Sequence, residues 1–208
     1  MIPEVDEALC RLLAPALPEG TSVRLEPPTP TWLTEQSHPS VVDLFLFGLR
    51  DDPRGRTAGW TDVRDGQGRV VGRQESARRY ELSYLVTARA EDVYREHMLL
   101  DRVLRVATDV DAVPPDCLPD ELAATGLPVL LRLADLGPSV LWSALGMPAR
   151  CAFVLDVSAP VLPGVDTEIA AAAEELRVEV ARPSAGRPAA PEPRRPGRWV
   201  RAQVREES

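Results

Sequence analysis

The 208-residue chain contains no lysine and no asparagine, and it is poor in the residues that most often carry chemistry. Its two histidines are His38, in a proline-rich loop, and His97, on the apolar side of a predicted helix. With no second histidine at ligand spacing, neither makes a case for a zinc site or a catalytic triad. The three cysteines, Cys10, Cys117 and Cys151, are odd in number and widely spaced, which excludes a disulfide framework or a zinc cluster and leaves reduced thiols acting as small hydrophobes. No apolar run approaches the 18 or so residues of a membrane helix. Aromatic residues are few, with four Trp, three Tyr and three Phe, and no basic face is interleaved with them, so base stacking has no platform. The net charge of −8 argues against nucleic-acid binding by charge alone. There is no Walker motif and no glycine-flanked serine elbow. The N-terminus, Met-Ile-Pro-Glu-Val-Asp-Glu, lacks a basic region and an apolar core, so no signal peptide is expected and a cytoplasmic location is.

What the chain does have is arginine and proline. All 24 basic residues are Arg, a skew that reads as coding bias but makes any ionic contact planar and directional. The 21 prolines, about twice the average usage, bunch toward the two ends. The charges are also uneven. Residues 183–208 carry six Arg and three Glu, a net +3, which leaves −11 on residues 1–182.

Periodicity supplies the elements. Ile2, Val5, Leu9, Leu12 and Leu13 predict a helix over residues 2–14, ended by Pro15 and Pro18. A short strand is expected at Ser22–Glu26, then a proline-rich loop anchored by Trp32. Val41–Arg50 is the strongest strand, with Val42, Leu44 and Leu46 on one face and Val41, Phe45, Phe47 and Leu49 on the other. Trp60–Arg64 and Arg69–Arg73 flank Asp65-Gly66-Gln67-Gly68, a hairpin turn. The spacing Gly66-x-Gly68-x-x-x-Gly72 belongs to that hairpin, because no strand leads through it into a helix. Arg79–Ala90 alternates like a half-buried strand. Glu91–Thr108 turns helical, with Val93, His97, Leu100, Val103, Leu104 and Ala107 on the apolar stripe. A short helix near Asp120–Ala124, a strand at Val129–Ala134, a helix at Ser139–Leu145 capped by Ser139, and a strand at Arg150–Ser158 follow. Thr167–Glu175 suits a short helix and Leu176–Arg182 a strand. The expected fold is α+β, a mostly antiparallel sheet flanked by the N-terminal helix and the second long helix. The expected domains are residues 1–163 and an extension, 164–208, with a Pro/Arg-rich linker at 183–197 and a terminal strand at Arg198–Glu206.

No arrangement of side chains supports catalysis. Asp109, Asp111 and Asp116 lack the glycine and closing glutamate of a calcium loop. Glu174 and Glu175 diverge on a helix and cannot form a carboxylate dyad. Neither a cofactor nor a metal is expected. The candidate residues are those of an interface: Phe45, Phe47 and Leu49 on the over-apolar strand, Trp142 as core plug or interface anchor, and Arg198, Trp199 and Arg201 in the tail. The tail reads either as a segment folding back on Leu176–Arg182 or as an arm that adds a strand to a neighbouring subunit's sheet. Two other functional classes remain open. One is an adaptor that offers Pro188-x-x-Pro191 and Pro193-x-x-Pro196 to a groove. The other is a small ligand-binding or enzymatic domain built on Arg78, Arg79 and Glu81.

Several segments carry a family resemblance: the opening helix Met1–Pro18, PSVVDLFLFGLRD at Pro39–Asp51, RRYELSYLVTARA at Arg78–Ala90 running into Glu96-His97-Met98-Leu99-Leu100, and LWSALG at Leu141–Gly146. Over roughly residues 1–160 the chain resembles the cap, or tail-terminator, family of phage-tail-like extracellular contractile injection systems of the Photorhabdus virulence cassette type. The resemblance implies a structural protein with no enzyme activity. Such a protein closes the tube and sheath far from the baseplate, as a ring of six, and becomes part of the assembled particle. Its partners would be further copies of itself and the tube and sheath proteins, with neither nucleic acid nor membrane involved. Asp43 departs from the family's strand, where a small amide is expected.

Overall fold

The structure is a computed structural model, and it describes residues 1–33, 40–53, 59–135 and 137–167. His38 and everything expected beyond 167, including Arg198, Trp199 and Arg201, lie outside the described residues.

The first helix, α1 (Ile2–Leu13), forms where expected, with Pro3 in its first turn, where a missing N–H costs nothing. It buries Val5, Ala8, Leu9 and Leu13, one stripe at helical spacing. β1 (Ser22–Arg24) leads to a 3-10 turn at Pro30–Leu33 and then to β2 (Val41–Asp51). β3 (Trp60–Arg64) and β4 (Val70–Glu75) form the expected hairpin. Asp65 closes its turn by accepting at Oδ1 from the backbone N–H groups of Gln67 (2.8 Å) and Arg69 (2.9 Å), and Gly68 takes the positive φ of 80° that the return requires. β5 (Arg78–Arg89) and α2 (Val93–Asp109) follow, then α3 (Asp120–Ala123), β6 (Leu130–Leu133), α4 (Ser139–Ala144), β7 (Phe153–Val161) and β8 (Val165–Asp166).

Five strands build the main sheet in the order β1-β2-β5-β7-β6, antiparallel except for the parallel pair β1–β2. One face carries α1 and α2. There Val42, Leu44, Leu82, Tyr84, Val86, Leu155 and Val157 pack against Val5, Leu9, Leu13, Leu99, Leu100 and Val103. A second, smaller core covers the middle of the opposite face, where Trp32, Trp142 and Met147 close over Leu85 and Val154. This second core corrects the reading of β5 as half-buried. β5 lies between β2 and β7 and is buried on both faces along most of its length. A small sheet, β3-β4-β8, completes the body. β8 begins just past the expected domain boundary and pairs with β4, Val165 opposite Gln74 and Asp166 opposite Arg73. Gly72 is needed there. A Cβ at this position would sit 2.6 Å from Val165 Cγ1 and 2.9 Å from Asp166 O.

Two local readings change. The buried stripe of α2 is Leu99, Leu100, Val103 and Ala107, so Val93, His97 and Leu104 stand on its exposed side. The N-cap of α2 is Asp92, whose side chain accepts from Arg95 N at 2.8 Å. In α4, Pro138 holds the cap position and Ser139 is the first helical residue, with no side-chain cap.

The feature that shapes the surface is a bulge in β2. Leu46 pairs with Tyr84 and Gly48 with Ser83, so Phe47 is an extra, unpaired residue. Partners across an antiparallel pair share a face. Leu49 therefore stands opposite Leu82, on the helix side, and Arg50 opposite Glu81, on the other side. The expected grouping of Leu49 with Phe45 and Phe47 does not hold.

Candidate functional site

Among the described residues, the buried charged side chains lie on the face of the sheet opposite the helices, at both ends of the second core. At the β1 end, Asp43 and Arg89 are both buried. Arg89 grips the carboxylate with two nitrogens, Nε to Oδ2 at 2.9 Å and Nη2 to Oδ1 at 3.3 Å. Its guanidinium also lies 4.3 Å from the Trp32 ring centroid and within 3.6 Å of Glu26. Burial holds the Asp43 carboxyl above the ordinary aspartate range, against the pull of Arg89. Asp43 is thus one half of a buried ion pair.

At the opposite end, four strands contribute to one charged cleft. Arg79 donates from Nε to Ser158 Oγ (3.0 Å) and from Nη2 to the carbonyls of Ser158 (2.6 Å) and Pro128 (2.8 Å). Ser158 in turn donates to Asp52 Oδ2 at 2.7 Å. Burial draws the Arg79 guanidinium below its ordinary value while Asp52 opposes the shift. Beside this cluster, Glu81 and Asp156 are buried carboxylates on the two central strands. Arg132 lies 2.6 Å from Asp156 and 3.5 Å from Glu81, both through Nη2. Arg50 pairs with Glu81 through the same atom type and approaches Asp156 at 4.0 Å. Ser83 donates to Asp156 Oδ1 at 2.7 Å. The cleft over these groups is half-open and about 440 Å³ in volume, with Leu130 and Leu131 in its wall. A second hollow of about 220 Å³ is lined by Phe47, Leu49, Arg50 and Asp156 among others.

The structure brings together part of what the sequence predicts. Phe47 and Leu49 both border the second hollow, although register sets the Leu49 side chain on the helix side, where it is 54% exposed. Phe45 is half-buried against the second core. Trp142 is 2% exposed and fills that core, the first of its two expected roles. Arg79 and Glu81 share the larger cleft, whereas Arg78 is exposed and pairs with Glu75 at 3.4 Å. Arg50, Arg132 and Asp156 escaped sequence reasoning. They meet only through strand register, and no local spacing marks them. The available chemistry is recognition: the carboxylates of Glu81 and Asp156 are engaged by arginines and a serine hydroxyl. Among the described residues no three His, Cys, Asp or Glu side chains gather to hold a metal ion, and no helix is long and apolar enough to cross a membrane.

A mostly antiparallel sheet, backed by helices on one face and carrying paired charges at the ends of the other, defines the chain as an α+β domain. The chain belongs to the Pvc16 N-terminal domain family, whose model matches residues 4–174. Its fold is similar to that of the sheath/tube terminator of an extracellular contractile injection system, PVC, in the extended state, with a TM-score of 0.65 and 16% identity over 89% of this chain. It is also similar to the tube-terminating cap of the anti-feeding prophage, with a TM-score of 0.60 and 16% identity over 85% of this chain. This chain spans 65% and 60% of the length of those two proteins. No curated protein sequence matches it.

Proposed function

We propose that this chain is a structural cap that closes the end of the tube and sheath of a contractile injection system, acting through protein contacts and not through catalysis. The observation that carries the reading is the family match over residues 4–174, and the fold shared with two terminator proteins over most of the chain supports it. In this reading the chain is made in the cytoplasm, assembles with copies of itself into a ring of six, and is incorporated into the particle against tube and sheath subunits. Closed heterologous contacts are how such rings form. The basic segment 183–208 would serve as an arm toward neighbouring chains, helped by its opposite charge to their acidic bodies.

Light scattering of the purified chain, alone and mixed with tube and sheath subunits of its own system, tests this. A hexamer, or a monomer that forms rings on tube ends, is the expected result. A monomer that engages neither subunit overturns the reading.

A further inference from the structure

β2 is an interior strand for only part of its length. β5 pairs with it from Val41 to Asp51, but β1 reaches only Val41, Val42 and Asp43 on the other side. Past Asp43 no described strand lies against that side of β2. Burial changes at nearly the same place. Val41, Val42, Asp43 and Leu44 are buried, Phe45, Leu46, Phe47 and Gly48 are half-buried, and Leu49 and Arg50 are exposed, whereas β5 and β7 stay mostly buried. Register assigns the backbone groups left open. Ser22 N donates to the Ser40 carbonyl at 3.0 Å, so Val42 and Leu44 turn their backbone groups toward the β1 side, and Leu46 is next in that series. Past the bulge Gly48 stands opposite Ser83, and the groups of Leu49 face outward again. Free strand edges are normally blunted by charge or proline, but residues 44–49 of this one read Leu-Phe-Leu-Phe-Gly-Leu. The other edge of the main sheet is already lined. Leu131 N donates to Asp111 O at 2.9 Å and Val113 N to Val129 O at 2.8 Å, which lays residues 111–113 along β6.

We infer that the open edge of β2 receives residues 198–206 of a neighbouring copy of this chain as an added strand. The two faces of the edge match the two sides of that segment. On the helix side the edge shows Leu46 and Leu49, and on the other side Phe47 stands near the buried carboxylates of Glu81 and Asp156. In the segment, Val200, Ala202 and Val204 alternate with Trp199, Arg201, Gln203 and Arg205. An added strand sets the small apolar row beside the leucines and the Trp/Arg row on the side of the carboxylates, while main-chain hydrogen bonds supply the pairing. The net charges, +3 on residues 183–208 and −11 on 1–182, favour the approach. Residues 168–197 span up to about 100 Å when extended, enough to reach an adjacent subunit. The donor is a second copy because a ring needs each subunit to give one surface and take a different one, and an arm and an open edge are such a pair. The inference rests on the cap reading above and adds to it the edge that receives and the segment received.

The test uses the full chain with two substitutions. Leu49→Pro removes an outward N–H and leaves the β2–β5 bonds intact, a placement that edge strands tolerate. Val200→Pro spoils the segment as a strand and keeps its charge. Self-association is read by light scattering in solution or, for a wild type that is monomeric there, in the rings it forms on tube ends. Each variant alone should self-associate at least tenfold more weakly than the wild type. Mixed one to one, the two should pair, since Val200→Pro still offers an edge and Leu49→Pro still offers an arm. Amide exchange at Leu46 should be slow in the wild-type assembly and fast in Val200→Pro. If Leu49→Pro does not fold, Val200→Pro and the exchange at Leu46 decide the matter. Self-association of the folded variants equal to that of the wild type overturns the added strand and leaves the cap reading standing. Slow exchange at Leu46 in a monomeric wild type puts the chain's own segment on the edge, which also overturns the proposal. A wild type that neither self-associates nor engages tube or sheath subunits removes the cap reading and this inference with it.

Discussion

Asp43 and Arg89 show how a buried charge can fit the interior of this sheet. A carboxylate buried at Asp43 is tolerable because Arg89 forks onto it and Trp32 covers the fork. Removing one member leaves a buried charge without its partner, which costs about 3–5 kcal/mol, whereas replacing both with apolar residues of similar size is often neutral. Arg89→Ala should therefore lower the unfolding free energy by about that amount in urea titration. Asp43→Asn should cost less than Arg89→Ala, because an amide still accepts one hydrogen bond and leaves no buried anion. Asp6 provides a pH handle. Burial holds its carboxyl above the ordinary aspartate range, and the Tyr84 hydroxyl that donates to Oδ1 at 2.7 Å opposes the shift. Between the ordinary value of about 3.9 and the higher folded value, the native state binds a proton that the unfolded state has released. Across that window this group favours the native state increasingly as pH falls. Asp6→Asn should remove that contribution, flattening the rise in stability on acidification just above about pH 4, as measured by denaturation at a series of pH values.

Among the elements, local pattern was a good guide wherever one face alone decides burial. α1 and the β3–β4 hairpin follow from apolar spacing and turn residues that act within a few positions. The pattern misled where burial comes from distant chain. Glu81, Ser83 and Thr87 make β5 look half-solvated, but Trp32 and Trp142 cover one part of that face and paired charges occupy the rest. In α2, Val93 and Leu104 fit an apolar stripe as well as Leu99 does, and only the position of the sheet selects Leu99 and Leu100. β8 is too short to show a period and exists because Gly72 lets it approach β4. Gly72→Ala should force β8 off β4 at a cost of about 1–3 kcal/mol, typical of overpacking. Hydrogen exchange at Val165 and Asp166 should speed up, while β5 and β7 keep their protection.

Across the whole molecule, the candidate site was legible only in part. Excess apolar surface pointed to Phe47 and Leu49, but the four charged groups beside them come from β2, β5, β6 and β7 and share no sequence neighbourhood. The uneven charge was visible from the start, with −11 on residues 1–182 against +3 on 183–208. If the basic segment serves partners more than the fold, deleting 183–208 should leave the thermal midpoint nearly unchanged and weaken subunit binding. Because charge is then the main contribution of this segment, the loss should shrink as salt rises. Unchanged sheath and tube binding after the deletion would remove the arm from the account.

The extra residue at Phe47 reaches further than its own position. In an unbroken ladder Arg50 would stand opposite Tyr80 among the helix-side residues, and Leu49 would face Glu81. One surplus amino acid shifts the last third of β2 by half a pleat and so decides which side chains the outer surface shows. Residue count, as much as residue type, sets the polarity of that surface. Trimming Phe47 away would keep Arg50 in place, whereas adding or dropping a residue between Gly48 and Arg50 would turn the face inside out.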